Sequence, residues 1–364
     1  MVNNSATNLL DFPRRMFALG AEFSAKVGDC WAMVRPQAGP VPEASDADAP
    51  EYHFDTSGGF QPTRGQEGIP LDIGHKWRLM PALGEIVWKL PQTIAASVPF
   101  RAYLCRLGDG RQIGYVRVPH YAHDEHTAHA FGDLIARFED MTAAMVFDQM
   151  DNPGGSMFHM YAILSTLTDR ALPLPTHQIT IGDDEAAVAA DVVATAEAGE
   201  EVPPDERPSP ELVTYSRFVL SEKAAGRGTG KNLTNPVYLG GVAEVLPAKI
   251  HYTKKIVVLI NELTFSAGEF LAAILQDNKR ATLFGERTAG AGGCTKRFYH
   301  NGPVLHYSYT LTWTIARRTN GQYIENIGVH PDVRYSITRE DIMSGYAGYQ
   351  RALLACLAEL LLLK

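Results

Sequence analysis

A chain of 364 residues, 45% hydrophobic with a net charge of −8 and a pI near 5.8, can bury one large core and more readily folds as two units than one. The acidic balance argues against nucleic acid or an anionic membrane as the main partner, and no run of about 18 apolar residues marks a membrane span. The opening MVNNSATNLLDFPRR does not read as a signal peptide as it stands, and Cys30, Cys105, Cys294 and Cys356 are too scattered to suggest a disulfide framework.

Residues 1–100 are weakly patterned. A Pro/Ala/Asp stretch from Pro36 to Pro50 reads as a loop, and Gly58, Gly59, Gly65 and Gly68 punctuate the segment after it. Regular structure becomes legible near residue 101. RAYLCRL and RQIGYVRVPH flank Gly108-Asp109-Gly110, which predicts a hairpin. The spacing of Ala130, Leu134, Ile135 and Phe138 predicts a helix over Thr127 to Glu139. Ala143 to Asp148 reads as a buried strand that ends in QMDNPGG, with another helix from Ser156. Strand alternating with helix predicts a mostly parallel, layered α/β fold.

Residues 178–245 interrupt this order and read as a helical insertion. An acidic, Ala-rich helix follows Asp183, taken as its cap. A second has Ser209 as N-cap, Pro210 at its first position and Gly226 as its stop. The core resumes with the apolar run Ile256 to Ile260, then NELTFSAGEF, then an apolar helix. ATLFGERTAGAGG, a β-rich segment from Val304 to Arg317 and IENIGVHPDV come next. A C-terminal helix is expected from the Thr338 cap to the apolar end LLLL, which needs covering by this chain or by a second copy, so a homodimer is an expectation.

The stretch NELTFSAGEF places one serine, Ser266, at the corner between a buried strand and a helix. A serine hydroxyl is a poor nucleophile at neutral pH and needs a base, a group that orients the base, and donors for the oxyanion. The amide of Ala267, at a helix N-terminus, can supply such a donor. The bland reading of Ser266 is a helix cap. Gly154 and Gly155 in DNPGG form a second turn able to expose backbone amides, or an ordinary strand end. Glu325 in ENIGVHP offers a carboxylate. The sequence around Ser266 is not the G-x-S-x-G elbow.

DNPGG, NELTFSAGEF, GERTAGAGG and IENIGVHPDV in this order resemble the C-terminal processing (tail-specific) serine peptidases, most closely the branch of the chlamydial protease-like activity factor. The resemblance spans roughly residues 111–335. It implies a ClpP/crotonase-like layered α/β core with a helical insertion, and hydrolysis of peptide bonds in protein or peptide substrates without a cofactor. Ser266 falls on the nucleophile. Gly154 or Gly155, with Ala267, falls on the oxyanion hole. Many relatives pair the serine with a lysine, but that place is Ala291 here, which argues against a dyad. The resembled branch uses a Ser-His-Glu triad, with Glu325 at the glutamate position.

The histidine of that triad is implied to lie before the core, upstream of a PDZ-like segment. No matching motif occurs in residues 1–110, where His53 and His75 are the only histidines. Residues 1–100 are therefore expected to be the remnant of an incomplete N-terminal region ahead of a catalytic domain at 101–364. The missing part would carry the base and any export signal, which would make the protein exported or periplasmic. The alternative is an inactive homologue that binds a peptide or an apolar ligand. A third reading takes His120, His123, His126 and His129 as metal ligands, although PHYAHDEHTAH lacks the H-E-x-x-H placement and a partly exposed polar loop is the plainer reading; no metal site is assigned.

Overall fold

The structure, a computed structural model, describes residues 52–55, 59–62, 81–121, 125–198, 207–230, 232–301 and 306–362. The Pro36–Pro50 loop, His75 and His123 lie outside the described residues. His53 does so in its side chain, although its backbone lies in a hairpin of β1 (Tyr52–Asp55) and β2 (Gly59–Pro62), opposite Gln61.

A seven-stranded sheet organises the rest. Three antiparallel strands enter it: β3 (Glu85–Lys89), β4 (Arg101–Arg106) and β5 (Gln112–Arg117). The β4–β5 turn is the expected one. Gly110 adopts φ 88°, and the Asp109 carboxylate accepts the Arg111 amide at 3.0 Å. Helices α1 (Gln92–Ala95) and α2 (Glu125–Met141) lie on either side of that hairpin in the chain. Beyond β5 the strands are parallel. β6 (Ala144–Asp148) leads to α3 (Met157–Ser165), whose N-cap Ser156 accepts the His159 amide.

Short strands β7 (Leu172–Pro173) and β8 (Thr176–Ile179) lead to helices α4 (Asp183–Glu197) and α5 (Pro210–Ala224), and β9 (Glu244–Val245) returns to pair with β7. Ser209 caps α5 as expected. The α4 cap differs, because Gly182 takes the N-cap position and its amide donates to Glu185 Oε2 at 2.6 Å, leaving Asp183 as the first helical residue. The two helices share a small apolar cluster of Ile179, Ile181, Ala189, Tyr215 and Val219.

β10 (Lys255–Ile260) pairs parallel to β6 and feeds α6 (Ala267–Asp277). β11 (Thr282–Gly285) and, after hairpin strands β12 (Thr295–Asn301) and β13 (His306–Thr312) and strand β14 (Thr314–Arg317), β15 (Val333–Arg334) complete the order β15-β11-β10-β6-β5-β4-β3. β14 pairs antiparallel with β8.

Alternation along the central strands fills two layers. Met145, Phe147, Ile256, Val258 and Ile260 face a core shared with α2, α3 and α6. Ala144, Val146, Val257 and Leu259 face a second core with Tyr349, Leu353, Cys356 and Leu357. Burial on both faces is why these strands read as unbroken apolar runs. The C-terminal helix is two helices, α7 (Arg339–Met343) and α8 (Ala347–Leu362). The break falls at Gly345 and Tyr346, with φ 66° and 68°. The apolar face of α8 is largely covered by this chain's own sheet, while Leu362 is exposed. Among the described residues no helix is long and apolar enough to cross a membrane.

Candidate active site

The carboxyl ends of β6 and β10 lie side by side, so the loops that leave them meet. A reciprocal clasp joins them: the Asp151 amide donates to Asn261 Oδ1 at 2.9 Å, and Asn261 Nδ2 donates to Asp151 Oδ1 at 2.7 Å. Thr264 Oγ1 reaches the Gln149 carbonyl, and Gln149 Nε2 reaches the Gly268 carbonyl at 2.9 Å. Buried Asn152 ties the DNPGG turn inward. Its Nδ2 donates to the Val118 carbonyl and its backbone carbonyl accepts the Phe265 amide at 2.8 Å.

Held by these loops, Ser266 is bent into an uncommon conformation, φ 48° and ψ −121°. A positive φ at a residue with a Cβ costs on the order of 1–3 kcal/mol and persists only where the surroundings enforce it. Here the Ser266 amide is held by the Ala291 carbonyl at 3.1 Å, and its carbonyl accepts the Glu269 and Phe270 amides. Ser266 occupies the N-cap position of α6, yet its hydroxyl makes no cap bond. The helix-cap reading of this side chain therefore fails, and a half-buried hydroxyl stands at a sharp strand-to-helix corner without the G-x-S-x-G signature.

The DNPGG turn packs on this corner. A Cβ at Gly154, which has φ 95°, would lie 2.6 Å from Ser266 Cβ and 2.8 Å from the Ala267 nitrogen. Glycine thus keeps open the space in front of the Ala267 amide. The Gly154 amide itself is engaged, donating to Asn152 Oδ1 at 2.8 Å. Among the described residues neither the Gly155 nor the Ala267 amide donates to a protein acceptor. Gly155 is exposed, and Ala267 opens the helix, where the macrodipole adds partial positive charge.

Glu325 sits half-buried in a tight turn. The Asn326 amide donates to the Gly290 carbonyl at 2.7 Å, Gly328 adopts φ 74°, and Glu325 Oε2 accepts the Gly293 amide at 3.0 Å. The 288–293 loop therefore touches both the Ser266 amide, through Ala291, and the Glu325 carboxylate, through Gly293. Sequence reasoning missed Glu269, on the first turn of α6. It is fully buried and accepts from Thr288 Oγ1 and from the Gly290 and Ala291 amides. Burial pushes its carboxyl above the ordinary range against those three donors, and the nearby Glu325 charge adds to the push. The spacing Ser266-x-x-Glu269 was the available signal.

Among the described residues no histidine ring is hydrogen-bonded to Ser266 or Glu325. Like the equally buried His159, His177 is fully enclosed. It is stacked on Phe270 and within 3.1 Å of Thr314 Oγ1, and burial lowers its pKa to about 3. His120 is buried in the segment before α2, while His126 and His129 lie on that helix. Among the described residues no group of three His, Cys, Asp or Glu side chains is arranged to hold a metal ion.

Residues 112–335 match the profile of peptidase family S41. The chain is 33% identical to an uncharacterized protein of Chlamydia muridarum (strain MoPn / Nigg), over 80% of this chain and 52% of that one. It is 33% identical to a protein of Chlamydia pneumoniae, over 75% and 47% of the two chains. A shorter match, 34% identical over 29% of this chain and 22% of the other, is to the carboxy-terminal processing protease CtpA of Bacillus subtilis (strain 168). In three dimensions the chain resembles mature CPAF complexed with lactacystin. The TM-score is 0.70 at 30% identity, covering 82% of this chain and 61% of that one. The chain spans about half the length of the chlamydial proteins it matches. The parallel sheet, the glycine-lined serine corner and the glutamate turn lie within the stretch that carries the profile, and the chain belongs to peptidase family S41.

Proposed function

We propose that the protein is a serine endopeptidase that cleaves peptide bonds in protein substrates, with Ser266 as nucleophile. The observation that carries this reading is the Ser266 corner, a strained N-cap serine whose hydroxyl caps nothing, beside two amides without acceptors. Family membership supports the same reading.

In the proposed reaction Ser266 Oγ attacks the scissile carbonyl carbon as its proton passes to a base. The carbonyl oxygen becomes an oxyanion, which accepts hydrogen bonds from the Gly155 and Ala267 amides. The tetrahedral intermediate collapses, the C–N bond breaks, and the base returns the proton to the leaving amine. Water then releases the acyl group by the reverse sequence. Glu325 orients an imidazole base and stabilises its charged form. Gly154, whose amide serves Asn152, acts by leaving room rather than by donating. We place the base on a histidine whose side chain lies outside what the structure describes, with His53 and His75 to test first.

Labelling the full chain with a fluorophosphonate, followed by peptide mass spectrometry, tests this. An adduct on Ser266 that disappears in Ser266→Ala is the expected result, and His53→Ala or His75→Ala would then identify a base within the chain. A chain that takes no label at Ser266 overturns the reading. The second reading, a binding module for a peptide or an apolar ligand, draws on the absence of a histidine hydrogen-bonded to either residue among the described residues.

A further inference from the structure

Glu269 takes no part in the chemistry above, yet both of its oxygens are committed. Oε1 accepts from the Thr288 hydroxyl at 2.5 Å and the Gly290 amide at 2.7 Å, and Oε2 accepts from the Ala291 amide at 2.7 Å. All three donors lie within residues 288–291. That stretch reaches two ways. Toward the serine, the Ala291 carbonyl accepts the Ser266 amide at 3.1 Å. Toward the glutamate, the Gly290 carbonyl accepts the Asn326 amide and Thr288 Oγ1 accepts the Val329 amide, both at 2.7 Å. Crowding reinforces the second contact, since a Cβ at Gly290 would lie 3.1 Å from the Asn326 carbonyl carbon and the Ile327 nitrogen.

We infer that Glu269 is a positioning residue that sets the Glu325 carboxylate relative to Ser266, an inference that rests on the serine-peptidase reading. It acts through the 288–291 loop and Glu325, never on the substrate. The site calls for a carboxylate in particular. It offers three donors and requires only acceptors, and both carboxylate oxygens accept. A glutamine would turn its NH2 group against an N–H or O–H donor and release part of the loop. Buried charge-assisted bonds of this kind are strong and directional, which suits a brace between two loops.

The test is a double-mutant cycle in the full chain, with Glu269→Gln and Glu325→Gln made singly and together. The first readout is the rate of fluorophosphonate labelling at Ser266. Glu269→Gln is expected to slow labelling by about tenfold or more. Combined with Glu325→Gln, it should add less than about twofold, because Glu269 works through Glu325. Full additivity overturns the inference, since a merely structural loss would multiply with the Glu325 effect. The second readout is amide hydrogen exchange. Glu269→Gln should release protection in 288–291 and 326–329 while residues 255–260 keep theirs, and unchanged exchange in 326–329 also overturns the inference. Should the wild-type serine take no label, the peptidase reading fails by itself and exchange alone decides the brace. Should Glu269→Gln not fold, Glu269→Asp, which keeps the acceptors but shortens their reach to the three donors, enters the same cycle.

Discussion

Two helices in this protein begin with the same four-residue grammar and use it in opposite ways. At α7, Thr338-x-x-Asp341 closes a capping box. Thr338 Oγ1 accepts the Asp341 amide at 3.1 Å, and Asp341 Oδ2 accepts the Thr338 amide at 3.0 Å. At α6, Ser266-x-x-Glu269 has the spacing of such a box and does not form one. The Ser266 backbone is turned to φ 48°, its amide goes to Ala291, and Glu269 swings into the 288–291 loop. The first arrangement satisfies the helix end locally. The second leaves the hydroxyl unspent and hands the Ser266 amide and the Glu269 carboxylate to residues 288–291, far along the chain. The same local spacing thus gives a structural cap where the carboxylate stays at the helix end and an available hydroxyl where a distant loop draws the carboxylate away.

The largest effect is expected from changing what surrounds the open box. Gly154→Ala puts a methyl 2.8 Å from the Ala267 nitrogen, in the space proposed for the oxyanion. Labelling of Ser266 should fall by about a hundredfold or more, the scale of a lost oxyanion donor. Labelling within twofold of wild type would mean that the glycine does not set the two helix starts apart.

Stability sharpens the contrast next, because the two caps should respond with opposite sign. Ser266→Gly relieves a positive φ and is expected to raise the unfolding free energy by about 1 kcal/mol, after allowing for the glycine's greater unfolded-state freedom. Thr338→Ala removes a working cap and should lower it by about 1 kcal/mol. Urea denaturation of the two variants reads both, and a loss of stability in Ser266→Gly would mean that the corner is not strained.

The smallest effect is a difference in pH slope. Backbone donation from Thr338, with the Tyr335 hydroxyl, the Thr338 hydroxyl and the Tyr349 amide, lowers Asp341 to about 2. Its contribution should be complete above the ordinary carboxylate value of about 4 and vanish as pH falls toward 2. Glu269 is shifted upward by burial, so its folded form holds the proton more tightly than the unfolded chain. Its contribution should be complete below the ordinary carboxylate value and be lost as pH rises beyond it through the raised folded value. Comparing stability against pH for Asp341→Asn and Glu269→Gln with the parent chain tests the pair. Parallel curves for the two variants would remove the distinction.

What the sequence revealed tracks the range of the forces involved. The runs Ala144–Asp148 and Ile256–Ile260 were legible as strands because burial on both faces leaves no polar interruption. Ser209 and Pro210 announced a helix start because a cap acts within one turn. The α4 start was off by one residue, since Gly182 precedes an acidic run in which more than one side chain could cap. The break between α7 and α8 escaped because the apolar spacing continues across Gly345 and Tyr346. In the site, Ser266 and Glu325 stood out through short motifs. Asn152, Asn261, Thr288 and Glu269 did not, because their roles depend on partners brought near only by folding. The Asp151–Asn261 clasp spans 110 positions.

A ribosome makes Ser266 before it makes the loop that bends it. The amide of Ser266 cannot find the Ala291 carbonyl, nor Glu269 its three donors, until residues 288–291 have emerged. The turn at Glu325 comes later still, and β15 closes the sheet edge last. Until then the serine can relax into an ordinary helix cap. The hydroxyl's availability is therefore a property of the finished fold, and the growing chain carries a latent serine throughout its own synthesis. Nascent chains stalled before residue 288 should take no fluorophosphonate, and labelling of such chains would show that the corner forms without its loop.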